Sequence, residues 1–330
     1  MIPALIVYGI GGLVSGFASL ISREPYPWIL WGRIIQGFGA AGTSPIAMAL
    51  VSDTFSTTEK SKALGIMEAS NGVGKVVSPV LGSLIAMIIW YLIFFTYSFL
   101  TIPIGVMIWF IIKEERSHGE RKNLKIYFGE IFAILKAKGL SLILCLAGGF
   151  LTLFILYGIL ANISDIIGGE LKRNVLKRGF IVALPVMTMS IVAYWSGAYL
   201  KNKETLYKKL VAGSLTACVV CLLVMPFLKM LLYRLIVLEA IGIAVGAALT
   251  ALNIFVTSCA PPGKRGVVTA VYNSFRFLGI ALGPVFFTSF YKSALKPGAL
   301  TAMAGGLALF IHMYLQSDLM LEYFGVKKLR

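Results

Sequence analysis

Of the 330 residues, 58% are hydrophobic and only 13% are charged, with a mean hydropathy of +0.87, whereas an ordinary soluble domain carries about 25% charged residues. So few charged side chains cannot cover a globule in water, which excludes a soluble enzyme, a nucleic-acid module and a disordered tail. The 30 Lys and Arg against 14 Asp and Glu would suggest nucleic acid in a soluble protein, and here they belong to membrane topology instead.

A helix needs about 20 mostly apolar residues to cross a bilayer. The apolar runs are continuous rather than alternating, which selects helices over barrel strands. Ten runs qualify. Span one (3–21) lacks the basic flank and small-residue cleavage site of a signal peptide and reads as retained. Span two (28–51) carries Arg33 and, one turn on, Gln36. Span three (63–86) carries Glu68, Asn71 and Lys75, and span four (89–112) carries no charge. A polar insert (113–138) follows, read as a solvated cytoplasmic loop with an amphipathic end. Spans five (139–163), six (179–200) and seven (210–228) come next. Cys218-x-x-Cys221 in span seven reads as small apolar filler, since free Cys behaves as a buried hydrophobe. Span eight (235–258) holds Glu239 and Gly242-x-x-x-Gly246, span nine (266–290) holds Arg276, and span ten (298–316) closes the set. The organisation is a four-span bundle (1–112), the central loop, and a six-span bundle (139–330).

With both termini in the cytoplasm, Lys60, Lys62, the basic residues of 113–138 and 201–209, Lys264, Arg265 and the tail 327–330 all lie inside. They outnumber the basic residues outside by about two to one, as the positive-inside rule requires. The cluster Lys172, Arg173, Lys177 and Arg178 runs against it. His118 and His312 are too far apart in sequence to suggest a metal site, and no Walker-type phosphate loop occurs.

A shift of 205 superposes Gly37 on Gly242, Ala41 on Gly246, Lys60 on Arg265, Gly74 on Gly279 and Pro79 on Pro284. Spans two and three thus repeat as eight and nine, basic loop included, and repeated halves are a hallmark of secondary transporters. The same shift leaves spans five and six without counterparts. The expectation is a twelve-span plan lacking its first two helices, through the gene or the choice of start codon.

The stretch Gly32-Arg33-Ile34-Ile35-Gln36-Gly37-Phe38-Gly39-Ala40-Ala41, with Asp53, Lys60, Lys62 and Gly65 after it, resembles the fourth-helix motif R-x-x-Q-G-x-G-A-A of the major facilitator superfamily. Gly74 to Ser83 is similar to the motif G-x-x-x-G-P-x-x-G-G of its drug:proton antiporters, departing at Ser78 and Ser83. Gly279 to Pro284 looks like a second copy, and Gly197 to Lys203 with Lys208 and Lys209 resembles a worn basic gating loop. The resemblance implies an all-α membrane protein of the major facilitator fold, with two pseudo-repeated helical bundles.

Charge inside a span costs roughly 2.5–3.5 kcal/mol on insertion scales and usually marks function. Arg33 either snorkels to the headgroups or is a fixed guanidinium beside an acid or an anionic substrate. Glu68, Asn71 and Lys75 share one helix face, for ion or proton coupling or as polar glue between helices. Glu239 is an interfacial acid or half of an alternating pair with Arg33. Arg276 answers Glu239 or Glu68, holds an anionic substrate group, or belongs to a structural pair. Gly37, Gly74, Pro79, Gly82, Gly279, Gly283 and Pro284 supply bends and close helix packing.

The expected function is secondary transport by alternating access in the cell membrane, as a monomer, without metal, cofactor, nucleic acid or catalytic residues. Protons or another ion drive a small molecule, with efflux of drugs or amphipathic organic molecules as the leading expectation. An organic-anion or metabolite transporter and a non-transporting membrane protein are the alternatives.

Overall fold

The computed structural model describes residues 1–43, 46–47, 57–111, 124–170, 175–200, 204–228, 230–259, 265–291, 306–307 and 309–311. Every regular element among them is helical. In chain order these are α1 (Ile2–Ile21), α2 (Tyr26–Ala41), α3 (Thr57–Ile88), α4 (Leu92–Ile111), α5 (Leu124–Glu170), α6 (Val175–Leu200) and α7 (Glu204–Val224). A 3₁₀ turn (Met225–Phe227), α8 (Leu231–Cys259) and α9 (Arg265–Tyr291) follow. Eight of these helices contain stretches long and apolar enough to cross a bilayer, from Ile2–Ile21 to Val267–Thr288. Of the other two predicted spans, the second is described over the 16 residues of α2. The tenth lies outside the described residues except for a few helical positions near Leu307.

Helix α5 is 47 residues long and begins inside the polar insert, at Leu124. No proline interrupts it, so the amphipathic stretch 124–138 runs on into span five without a break in the backbone hydrogen bonding.

The chain forms two compact units: Met1–Arg121 with Asn174–Gly179, and Lys122–Arg173 with Phe180–Arg330. Lipid is as apolar as leucine, so helices in a bilayer hold together by close packing and polar contacts rather than by hydrophobic exclusion. In the first unit α1 packs along both α2 and α4. A side chain at Gly11 would meet the Gly32 carbonyl oxygen at 2.5 Å, and one at Gly12 would meet the Phe94 carbonyl oxygen at 2.8 Å. Ser98 Oγ donates to Gly9 O at 2.6 Å across the α1–α4 seam.

In the second unit α5 packs against α8 and α9, and α7 against α8. The α6–α8 seam advances four residues at a time. Gly242 lies on Pro185 O and Gly246 on Met189 O, and Thr250 Oγ1 donates to Ala193 O at 3.0 Å. Leu156, Ile159, Leu215, Ile241, Leu252 and Tyr272 are fully buried at its centre. Phe99, Trp109, Phe110, Tyr194 and Trp195 are exposed.

Candidate functional site

Each unit holds one arginine arranged in the same way. On α2, Arg33 Nη1 donates to Gln36 Oε1 at 2.8 Å, one helical turn away. The guanidinium lies 4.8 Å from the Phe94 ring centre and 5.2 Å from that of Tyr97, both on α4. Tyr8 of α1 meets Tyr97 edge to face at 6.0 Å. The glycine contacts between α1 and α2 press Gln36 inward until it is 3% exposed. Its Nε2 is buried with no partner among the described residues.

On α9, Arg276 Nη1 donates to Asn273 Oδ1 at 3.1 Å, and its guanidinium lies 5.5 Å from the Tyr272 ring centre. Tyr272 is fully buried, and Gly149 of α5 makes room for its ring: a side chain there would come within 2.5 Å of it. Tyr157, also on α5, stands within electrostatic reach of Arg276. Arg276 Nε and Tyr272 Oη are both buried without partners among the described residues. An unsatisfied buried group costs about 1–3 kcal/mol, more when charged, so such groups ask for an explanation.

Glu239 makes a third polar site. Thr188 Oγ1 of α6 lies 2.6 Å from its Oε2, and 3.1 Å from the Leu184 carbonyl oxygen. Among the described residues Glu239 and Arg276 do not pair with each other; each is engaged within its own group. On α3, Asn71 is exposed and Lys75 half-buried, and the Glu68 side chain lies outside the described residues. The 205-residue shift sets Glu68 and Asn71 on Asn273 and Arg276, so the two helices carry polar pairs at equivalent turns.

The glycines divide. Gly279 and Gly283 lie against the carbonyl oxygens of Phe150 and Phe154 on α5. Gly82 makes an ordinary contact with Ile93, while Gly37 and Gly74 face nothing within 4 Å among the described residues. Pro79 and Pro284 both lie within helices. Ser83 Oγ donates to Pro79 O and Thr288 Oγ1 to Pro284 O, both at 2.8 Å. Ser83 and Thr288 occupy the same repeat position, so Thr288 was within reach of the sequence shift. Phe94, Tyr97, Thr188 and Tyr157 lie far from their partners in sequence and carry no local signal. The described residues contain no cluster of His, Cys, Asp or Glu fit for a metal ion.

Residues 1–284 match the family model of the Major Facilitator Superfamily. The chain belongs to the Major Facilitator Superfamily. Membership makes it a multi-pass membrane protein among small-molecule transporters. It is 28% identical over 296 residues to the bacillibactin exporter of Bacillus subtilis (strain 168), a match covering 89% of this chain and 74% of that protein. It is 33% identical over 110 residues to the multidrug resistance protein MdtL of Salmonella paratyphi B (strain ATCC BAA-1250 / SPB7), covering 32% of this chain and 28% of that one. Two solved structures share the fold. A bacterial homologue of the human lysosomal transporter Spinster superposes with a TM-score of 0.63 at 16% identity, over 97% of this chain and 80% of that chain. The D-xylose–proton symporter superposes with a TM-score of 0.64 at 12% identity, over 94% of this chain and 79% of that chain.

Proposed function

We propose that this Major Facilitator Superfamily member exports small amphipathic organic molecules, drugs among them, from the cell by alternating access driven by protons. The observation that carries the reading is the contact of Thr188 with Glu239. A hydroxyl has one proton to give, yet Thr188 Oγ1 lies within hydrogen-bond reach of two acceptors, Leu184 O and Glu239 Oε2. A proton carried by the Glu239 carboxyl satisfies both contacts, and its departure leaves one of them unmade. Loading and unloading of that carboxyl would therefore bias the α6–α8 contact, which is what coupling requires. Glu68 on α3 is the second acid that could carry a coupled proton, at a different repeat position from Glu239. The relatives named as an exporter and a multidrug resistance protein support the outward direction.

A second reading, organic-anion transport, is favoured by Arg33 and Arg276, since neither has a carboxylate partner among the described residues. Proteoliposomes with an imposed pH gradient test both. Cationic dyes accumulating against their own gradient support proton-coupled efflux of amphipathic compounds; movement of carboxylates alone supports the second reading. Glu68→Gln and Glu239→Gln are each expected to abolish gradient-driven movement without loss of expression. Unchanged transport in both variants removes the two acids from the mechanism.

A further inference from the structure

The geometry points to Arg276 as a binding subsite for a carboxylate on the transported molecule. A guanidinium presents its donors as a planar fork, and a carboxylate fits two parallel N–H groups on one edge. In Arg276, Asn273 occupies Nη1. The opposite edge, Nε with Nη2, has no protein acceptor among the described residues, and its Nε is buried. The Tyr272 ring lies beneath the guanidinium, and with the Asn273 contact it fixes the plane of the fork. The edge is thus oriented before a ligand arrives, and orientation in advance lowers the cost of binding.

Other features of the cluster act together with that edge. Tyr272 is wholly buried and its hydroxyl lacks a partner among the described residues, so the polar character of the cluster is not consumed among them. No carboxylate among the described residues neutralises Arg276, so a ligand anion brings the missing charge. Lysine would substitute only in part: its ammonium is a point charge with no planar edge. The inference rests on the reading of the chain as a transporter of small organic molecules and adds the chemical group that this site recognises.

The test uses the full chain in lipid nanodiscs and two probes of nearly equal shape, naphthalene-2-carboxylate and its neutral amide, titrated by calorimetry. The wild type is expected to bind the carboxylate saturably and more tightly than the amide. Arg276→Gln is expected to weaken the carboxylate by about tenfold or more, the loss of a charge-assisted pair, and to leave the amide unchanged. Arg276→Lys is expected to fall between, because it keeps charge and loses the edge. Equal wild-type affinity for the two probes, or carboxylate binding indifferent to both substitutions, overturns the inference. If Arg276→Gln does not fold, the wild-type comparison and Arg276→Lys still decide it. Inside-out vesicles under a pH gradient separate this result from the transport reading. Carboxylate bound while neither it nor any amphipathic dye is moved leaves the subsite standing and removes the exporter. Amphipathic dyes moved while carboxylate neither binds nor moves does the reverse.

Discussion

A guanidinium inside a bilayer costs roughly 2.5–3.5 kcal/mol on insertion scales, and Arg33 and Arg276 meet that cost with the same kinds of contact. Each donates to an amide side chain one turn away and lies against an aromatic ring. Cation–π contacts contribute about 0.5–2 kcal/mol, and a flat guanidinium also stacks on the ring in a way an ammonium cannot. Arg33→Lys is therefore expected to slow substrate movement in proteoliposomes by about two- to thirtyfold at unchanged surface expression. A wild-type rate would mean that Phe94 and Tyr97 only pack against the charge. The arginines themselves are legible in the sequence because charges are rare in apolar runs. The aromatic neighbours of Arg33 are not: Phe94 and Tyr97 on α4 reach it only when α2 and α4 come together, and nothing local in either helix announces the contact.

At the level of the helix, the motif glycines do two kinds of work that a sequence pattern cannot separate. Gly246 and Gly279 touch the carbonyl oxygens of a neighbouring helix, whereas Gly37 and Gly74 face open space among the described residues. Overpacking costs typically 1–3 kcal/mol, while glycine in a helix interior forfeits up to about 1 kcal/mol relative to alanine. Gly246→Ala and Gly279→Ala should therefore lower the thermal midpoint of the detergent-solubilised protein, and Gly37→Ala and Gly74→Ala should hold or raise it. A fluorescence-detected melting series with all four variants checks the sign. The paired prolines add a second prediction. A hydroxyl bonded back four residues competes with the helix ladder and bends the helix, and Ser83 and Thr288 do this to Pro79 and Pro284 at matching positions. The double variant Ser83→Ala with Thr288→Val is expected to be at least as thermostable as the wild type and to transport more slowly, read as initial rates. An undiminished rate would make the bends architectural only.

For the whole molecule, the apolar runs made most of the plan legible, because a span announces itself by length and hydropathy alone. The start of α5 was less legible. Its first turns mix apolar residues with Lys125, Glu130, Lys136 and Lys138, and an amphipathic stretch at the end of a charged insert does not show by its composition that it continues into the next span. The positive-inside count leads to a topology prediction: a green fluorescent protein fused after Arg330 should fluoresce in intact cells, as it does when it stays in the cytoplasm. Alkaline phosphatase activity from the same fusion point would reverse the orientation. The 205-residue repeat reaches from backbone motif to side-chain detail, since the polar pair Asn273 and Arg276 stands where Glu68 and Asn71 stand on α3. One turn of helix has thus been reused with different polar residues.

Where α8 meets α6, main chain rests on main chain at Gly242 and Gly246, with no flexible tip between them to absorb an added methyl. Tolerance to replacement should therefore vary sharply around the circumference of α8. A deep mutational scan would show almost nothing but glycine surviving at 242 and 246, beside outward positions such as Ile236 and Ile243 where any oily side chain serves. Evolution of new specificity in this protein is then channelled away from those two positions and toward the polar clusters.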